Sequence, residues 1–114
     1  MEAAYRHGDP VMIDHTPGAD VSAGQVVLIG NTTGFTCGVA HSDIANGELG
    51  AIAAGGGVYA VKVASNYAAG TKVYWDDTNS ILTTTSTNMS LFGFTVEAAA
   101  AANAVVKVLH EPYV

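Results

Sequence analysis

Fixed positive charge is almost missing from this chain: Arg6, Lys62, Lys72 and Lys107 are its only basic residues besides histidine, against ten carboxylates. A protein that grips a phosphate backbone needs clustered lysine and arginine, so nucleic acid is excluded as the expected partner. Charge of either sign is scarce too, at 12% of residues where about a quarter is typical. A domain of this mass exposes roughly 5,800 Å², and Ser, Thr, Asn and Gly, as in the stretch Thr83 to Thr87, account for only part of a charge-poor surface. The remainder is expected to be covered by a partner or by further copies of the chain. Cys37 is the single cysteine, which excludes an internal disulfide. Within the apolar run Phe35 to Ala40 it reads as a buried, inert thiol suited to a reducing compartment. No apolar run approaches 18 residues, and Met1 to Pro10 has no hydrophobic segment. Neither a membrane span nor a signal peptide is therefore expected, and the chain is expected to be made and kept in the cytoplasm. Without secretion, the sequons at Asn31 and Asn88 are chance matches.

Catalytic and ligand-binding signatures are missing as well. His7, His15, His41 and His110 lack the spacing of a zinc site. Asp76-Asp77-Thr78-Asn79 gathers oxygen ligands but lacks the closing Glu of a calcium loop, and reads as a β-turn between Trp75 and Ile81. There is no G-x-S-x-G elbow around a nucleophile. Gly55-Gly56-Gly57 lacks the Lys-Ser/Thr of a phosphate loop and precedes a strand, so it reads as a flexible hairpin tip. No metal, no cofactor and no enzymatic activity are expected. Tyr74 and Trp75 point to opposite faces of one strand, so one serves the core and the other is a candidate for an interface.

What is present is β structure. Thirteen glycines and short β-branched runs between turn residues suit an all-β barrel or sandwich of about eight or nine short strands. Strands are expected near Val11–Asp14, Gln25–Ile29, Phe35–Ala40, Leu49–Ala53, Val58–Val63, Lys72–Trp75, Ile81–Thr84, Leu91–Val96 and Ala104–Leu109. Tyr59, Val61 and Val63 alternate with Val58, Ala60 and Lys62, and Phe92, Phe94 and Val96 share a face. Val26 to Ile29 is apolar without a break, as in a strand covered on both sides. Glu97 to Ala102 admits at most one short helical turn. Three segments, Asp20-Val21-Ser22-Ala23-Gly24, Asp43-Ile44-Ala45-Asn46-Gly47 and Asn66-Tyr67-Ala68-Ala69-Gly70, repeat one form: Asx, apolar, small, small, Gly. They predict a reused turn in which the Asx side chain bonds its own downstream backbone, the apolar residue plugs the barrel end and Gly takes a positive φ. Residues 11–114 form one β domain, and residues 1–10 form an N-terminal arm, poorly ordered when free because little apolar surface offsets its ordering.

The run Ala69-Gly70-Thr71-Lys72-Val73-Tyr74-Trp75-Asp76 resembles a segment shared by short phage and prophage proteins long filed as a domain of unknown function. Ile13-Asp14-His15-Thr16-Pro17, Ala23-Gly24-Gln25-Val26-Val27, Asp43-Ile44-Ala45-Asn46-Gly47-Glu48 and Phe92-Gly93-Phe94-Thr95-Val96-Glu97-Ala98 are similar to that family in the same order over nearly the whole chain. The family is that of capsid decoration, or cement, proteins. The resemblance implies a structural virion protein on the outside of a tailed-phage head, made in the bacterial cytoplasm, that locks major capsid protein subunits together. Some relatives carry a recombinase label, which this chain does not support, as it has no Walker A motif. The rival readings are another virion part, such as a tail or fibre-base protein, or a small carbohydrate-binding module. A homo-oligomer is expected, a trimer ahead of a dimer. The candidate contact residues are Tyr5, Arg6, His7, Asp9 and Pro10: the arm either adds as a strand to the capsid, with Tyr5 in a pocket and Arg6 on an acidic patch, or completes the protein's own sheet or a neighbour's.

Overall fold

The computed structural model describes residues 2–29, 36–85 and 89–112; Asn31, Phe35 and Asn88 fall outside them. Ten strands run in chain order: β1 (Ala3–His7), β2 (Val11–His15), β3 (Val26–Ile29), β4 (Thr36–Ala40), β5 (Gly50–Gly55), β6 (Val58–Lys62), β7 (Lys72–Asp76), β8 (Ile81–Thr83), β9 (Ser90–Thr95) and β10 (Val105–His110). They form a six-stranded sheet, β1-β6-β10-β9-β7-β8, and a four-stranded sheet, β2-β5-β4-β3. Every named pairing of strands is antiparallel. The two sheets make a sandwich. The larger one rolls far enough for Leu82 to meet Val63 in a single parallel bridge, without closing into a barrel. The described residues contain no helix, and Glu97–Ala102 is a loop in which Ala99 is buried and donates its N–H to the Tyr67 carbonyl.

The sheets are joined by one bent ribbon. β1 pairs with β6 and β2 with β5, so residues 3–15 run antiparallel to residues 50–62 through both sheets. The ribbon bends where Gly8-Asp9-Pro10 faces Gly55-Gly56-Gly57. The triple glycine is thus a corner and not a hairpin tip, because its neighbours pair with two different strands. Gly56 and Gly57 take φ of +80° and +84°, and a Cβ on Gly8 would lie 2.9 Å from the Gly57 Cα. Two backbones meet there with no room for a side chain between them.

The opening segment also differs from a loose arm. Ala3 is buried and its N–H donates to the Gly24 carbonyl. The Glu2 carboxylate accepts from the Val26 N–H at 2.8 Å and from the Ser80 hydroxyl at 2.9 Å. β1 therefore completes the protein's own sheet. Ladder hydrogen bonds and one doubly bonded carboxylate offset the ordering cost that apolar content alone does not cover.

Tyr59, Val61, Val73, Trp75, Leu82, Phe92, Val106 and Val108 from the larger sheet pack against Val26, Cys37, Val39 and Ala53 from the smaller one. Trp75, not Tyr74, is the core member of its pair, and its indole N–H donates to Asp77 at 3.0 Å. β9 breaks the expected alternation. Val73 pairs with Gly93 but Tyr74 pairs with Leu91, so Phe92 is the extra residue of a bulge. Phe92 and Thr95 are consequently buried, Phe94 is only half-buried and Val96 is exposed.

A second cluster, Val21, Ala40, Ile44 and Ile52, lies apart from the main core. Val26 and Leu28 pack on the main core, and Val27 and Ile29 on this cluster, which explains the unbroken apolar run of β3. Val21 and Ile44 come from the first two repeated turns, which exchange their caps. Asp20 accepts from the Asn46 N–H at 2.9 Å, and Asp43 accepts from the Ala23 N–H at 2.8 Å. Val21 and Ile44 bond each other's backbone in both directions. The expected self-capping is thus replaced by reciprocal capping. The glycines Gly24, Gly47 and Gly70 all take positive φ, at 83°, 79° and 86°.

Two glycine substitutions separate crowding from backbone strain. A Cβ at Gly93 would sit 1.8 Å from the Leu109 carbonyl oxygen, inside the sheet, whereas none would meet a neighbour at Gly47. Gly47→Ala is expected to cost about 1 kcal/mol in urea unfolding, for its left-handed backbone. Gly93→Ala is expected to cost about 3 kcal/mol or more, or to prevent folding. Equal costs would refute the crowding at β9.

Candidate functional site

Chemically distinctive side chains gather where the bent ribbon meets the ends of β3 and β4. Tyr5, at the exposed edge of β1, donates its hydroxyl to the Gly8 carbonyl, closing the corner. Its ring lies 5.1 Å from that of His41 and 5.7 Å from that of Tyr59. Tyr59 is buried and shares a 2.6 Å hydrogen bond with His41 Nε2. Edge-on contacts continue inward from Tyr59 to Phe92 and His110. A column of five rings thus runs from the surface into the core. Beside its outer end is a shallow groove of about 350 Å³, lined by Tyr5, Arg6, Ala23, Gly24, His41 and Tyr59 among others.

His110 is the inner end of the column and is fully buried. One ring nitrogen, Nε2, lies 2.7 Å from the Cys37 carbonyl oxygen, which can only accept, so Nε2 carries the proton. The other, Nδ1, has no hydrogen-bond partner among the described residues. Its backbone holds the corner: the His110 carbonyl accepts from the Gly56 N–H and its N–H donates to the Gly57 carbonyl. Burial pushes its pKa down to about 4, opposed by the Cys37 carbonyl and aided by His41. Burial lowers His41 as well, and pushes Tyr59 up, with Tyr5 adding to the effect. Cys37 is buried, and burial followed by the Asp77 charge raises its thiol to about 12. It is a packing residue with no nucleophilic role.

The expected contact residues fall in two sets. Tyr5, Arg6 and His7 lie on β1, and Asp9 and Pro10 form the turn of the corner, so the five are contiguous; all are exposed except the half-buried Pro10. Tyr5 is turned toward His41 and Tyr59. The Asp76 carboxyl is held by its own turn: it accepts from the Thr78 and Asn79 N–H groups and the Asn79 side chain, and the Asn79 bonds lower its pKa. Among the described residues no three His, Cys, Asp or Glu side chains converge as a metal site. No described helix is long and apolar enough to cross a membrane.

The sequence predicts a strand at Val11–Asp14 but not its exposure: Val11 is 60% exposed, Met12 42% and Ile13 37%, with Asp14 exposed after them. An unbroken apolar run does not by itself distinguish this strand from the covered one at Val26–Ile29. An apolar strand at a sheet edge, open on both faces, is an unsatisfied surface.

A family model described as phage cement protein matches residues 5–110. The chain belongs to the phage cement protein family. Comparison with curated proteins and with solved structures gives no match. Cement proteins are structural components of the virion that associate with the capsid, and the chain is a phage virion structural protein. In this cement protein the exposed ribbon, Tyr5 to Asp14, lies within the matched span.

The buried imidazole makes stability depend on pH in a definite direction. His110 takes up a proton near its ordinary 6.5 when unfolded but only near 4 when folded. Its neutral form therefore contributes fully above about pH 6.5, and the contribution is lost as pH falls toward about 4. Between pH 7 and 5 the unfolding free energy is expected to fall by about 2 kcal/mol from this group, with His41 adding in the same direction. The fall should shrink strongly in His110→Gln when urea midpoints are compared. An unchanged pH slope in that variant would overturn the assignment.

Proposed function

We propose that this chain cements the outer face of a tailed-phage head by bridging neighbouring major capsid protein subunits, with Tyr5, Arg6, His7, Asp9 and Pro10 in the contact. The family match over residues 5–110 carries this reading. The exposed ribbon supports it, since it offers a rigid apolar and hydrogen-bonding edge on a charge-poor molecule. Clamping needs no chemistry, and the site requires none: no cofactor, no metal and no catalysis enter the reading. Each contact can be weak, because symmetry repeats it over the shell and simultaneous engagement of several subunits multiplies affinity. A homotrimer suits a clamp at a threefold junction of subunits. Synthesis in the host cytoplasm, before heads are decorated, agrees with a single reduced, buried thiol.

Strand β1 belongs to the core sheet, so truncating residues 1–8 would unfold the edge; substitution at exposed positions is the cleaner probe. Arg6→Glu combined with His7→Glu should leave the melting temperature within about 3 °C, as exposed changes cost little. The same variant should decorate expanded heads of the source phage at least about tenfold more weakly than the parent protein in co-sedimentation. Decoration at parental occupancy would remove these residues from the contact. Light scattering of the parent protein at micromolar concentration should give the mass of a trimer, and a clean 11.6 kDa species would rule out assembly away from the capsid.

A further inference from the structure

The strongest unassigned feature is the outer edge of β2. Among the described residues nothing pairs with it, and four consecutive residues, Val11 to Asp14, are exposed. The other sheet edges differ from it. β3 is buried or half-buried along its length, with apolar clusters against its two faces, and β8 is three residues long, its Leu82 bridged to Val63 just past the end of β6. β1 carries Arg6 and is tied down through Glu2 and Ala3. β2 has no lysine or arginine, and an edge of this kind is a template for another strand. Leu49, 70% exposed, precedes the Gly50 that pairs with His15, so the apolar surface continues past the end of the strand.

Charge selects the occupant. All four lysines and arginines lie on the six-stranded sheet, in β1, β6, β7 and β10. From His7 to Val61, a span that includes the whole four-stranded sheet, there is no lysine or arginine, but five carboxylates: Asp9, Asp14, Asp20, Asp43 and Glu48. Asp20 and Asp43 cap turns, while Asp9, Asp14 and Glu48 are exposed around β2. A second copy of β2 would bring an identical acidic sheet against this one with no lysine or arginine to meet Asp14. Self-pairing is therefore opposed by like charge.

We propose that the outer edge of β2 receives an extended segment of the major capsid protein, apolar at alternate positions and bearing lysine or arginine, as a fifth strand of the smaller sheet. The inference rests on the cement reading above and names the surface and the segment it takes. Main-chain hydrogen bonds supply affinity; Val11 and Ile13 on one face, and Met12 and Asp14 on the other, supply register and charge selection.

The test uses expanded heads of the source phage lacking this protein, with V11K/I13K as the edge variant and V105K as the control. Val105 is 61% exposed on the six-stranded sheet. Gatekeeper lysines block strand addition, so V11K/I13K should bind heads at least about tenfold more weakly while V105K stays within about twofold of the parent. Raising salt from about 0.15 to about 0.5 M should weaken the parent several-fold. Hydrogen exchange on the unaltered protein should show the amides of residues 11–15 slowed on heads, a readout that does not depend on the variant folding. Parental binding by folded V11K/I13K, or unslowed amides, overturns the strand addition and leaves the cement reading standing. Failure of the parent protein itself to bind heads overturns both. A lower molar mass of V11K/I13K in light scattering would assign the edge to a second copy and overturn the proposal.

Discussion

Everything in this fold hangs on the contact of two backbones at Gly8 and Gly57. One antiparallel ribbon supplies an edge to both sheets, and it bends only because no Cβ stands between its strands at the corner. With the bend in place, β6 and β5 lie in different layers and Tyr59, Val61 and Ala53 face a common interior. His110 then braces the corner through two backbone hydrogen bonds and reaches the opposite sheet through Cys37. A fully buried imidazole with one nitrogen unpartnered among the described residues is costly; here it links β10, β4 and the corner at one point.

Most strands were legible because period-2 patterning and turn residues are local signals. All nine segments expected from the sequence contain one, with ends displaced by a residue or two. What escaped depends on partners distant in the chain. β1 looked too polar to be ordered, since the Glu2 bonds to Val26 and Ser80 span 24 and 78 residues. Phe92, Phe94 and Val96 were expected to share a face because a bulge leaves no mark in the apolar pattern. The triple glycine reads in the sequence as a flexible hairpin tip; its role as a corner required knowing that β1 and β2 pair with different strands. The five candidate residues, Tyr5, Arg6, His7, Asp9 and Pro10, lie together on β1 and the corner; the exposed face of β2 next to them was not legible, because edge and centre strands of similar composition read alike.

The repeated turns show how similar local chemistry acquires different uses. Two copies interlock through Asp20 and Asp43 and cover the second apolar cluster with Val21 and Ile44. The third sets Tyr67 against the main core, and its Ala68 carbonyl accepts from the Thr71 and Thr95 hydroxyls. The first two also put their carboxylates on one side of the molecule. The division between an acidic small sheet and a large sheet holding every lysine and arginine gives the protein a polarity that a uniform surface would lack.

Glu2 has a mechanical consequence. An edge strand pulled sideways peels from its end, breaking one hydrogen bond at a time, which takes less force than shearing all of them together. At the start of β1 that end is fastened three ways: Ala3 to Gly24, and the Glu2 carboxylate to both Val26 and Ser80. A tug on the exposed side chains of this strand must therefore load the small sheet and the β7–β8 turn before the first rung can open. The zipper is held shut at the end from which it would start to run.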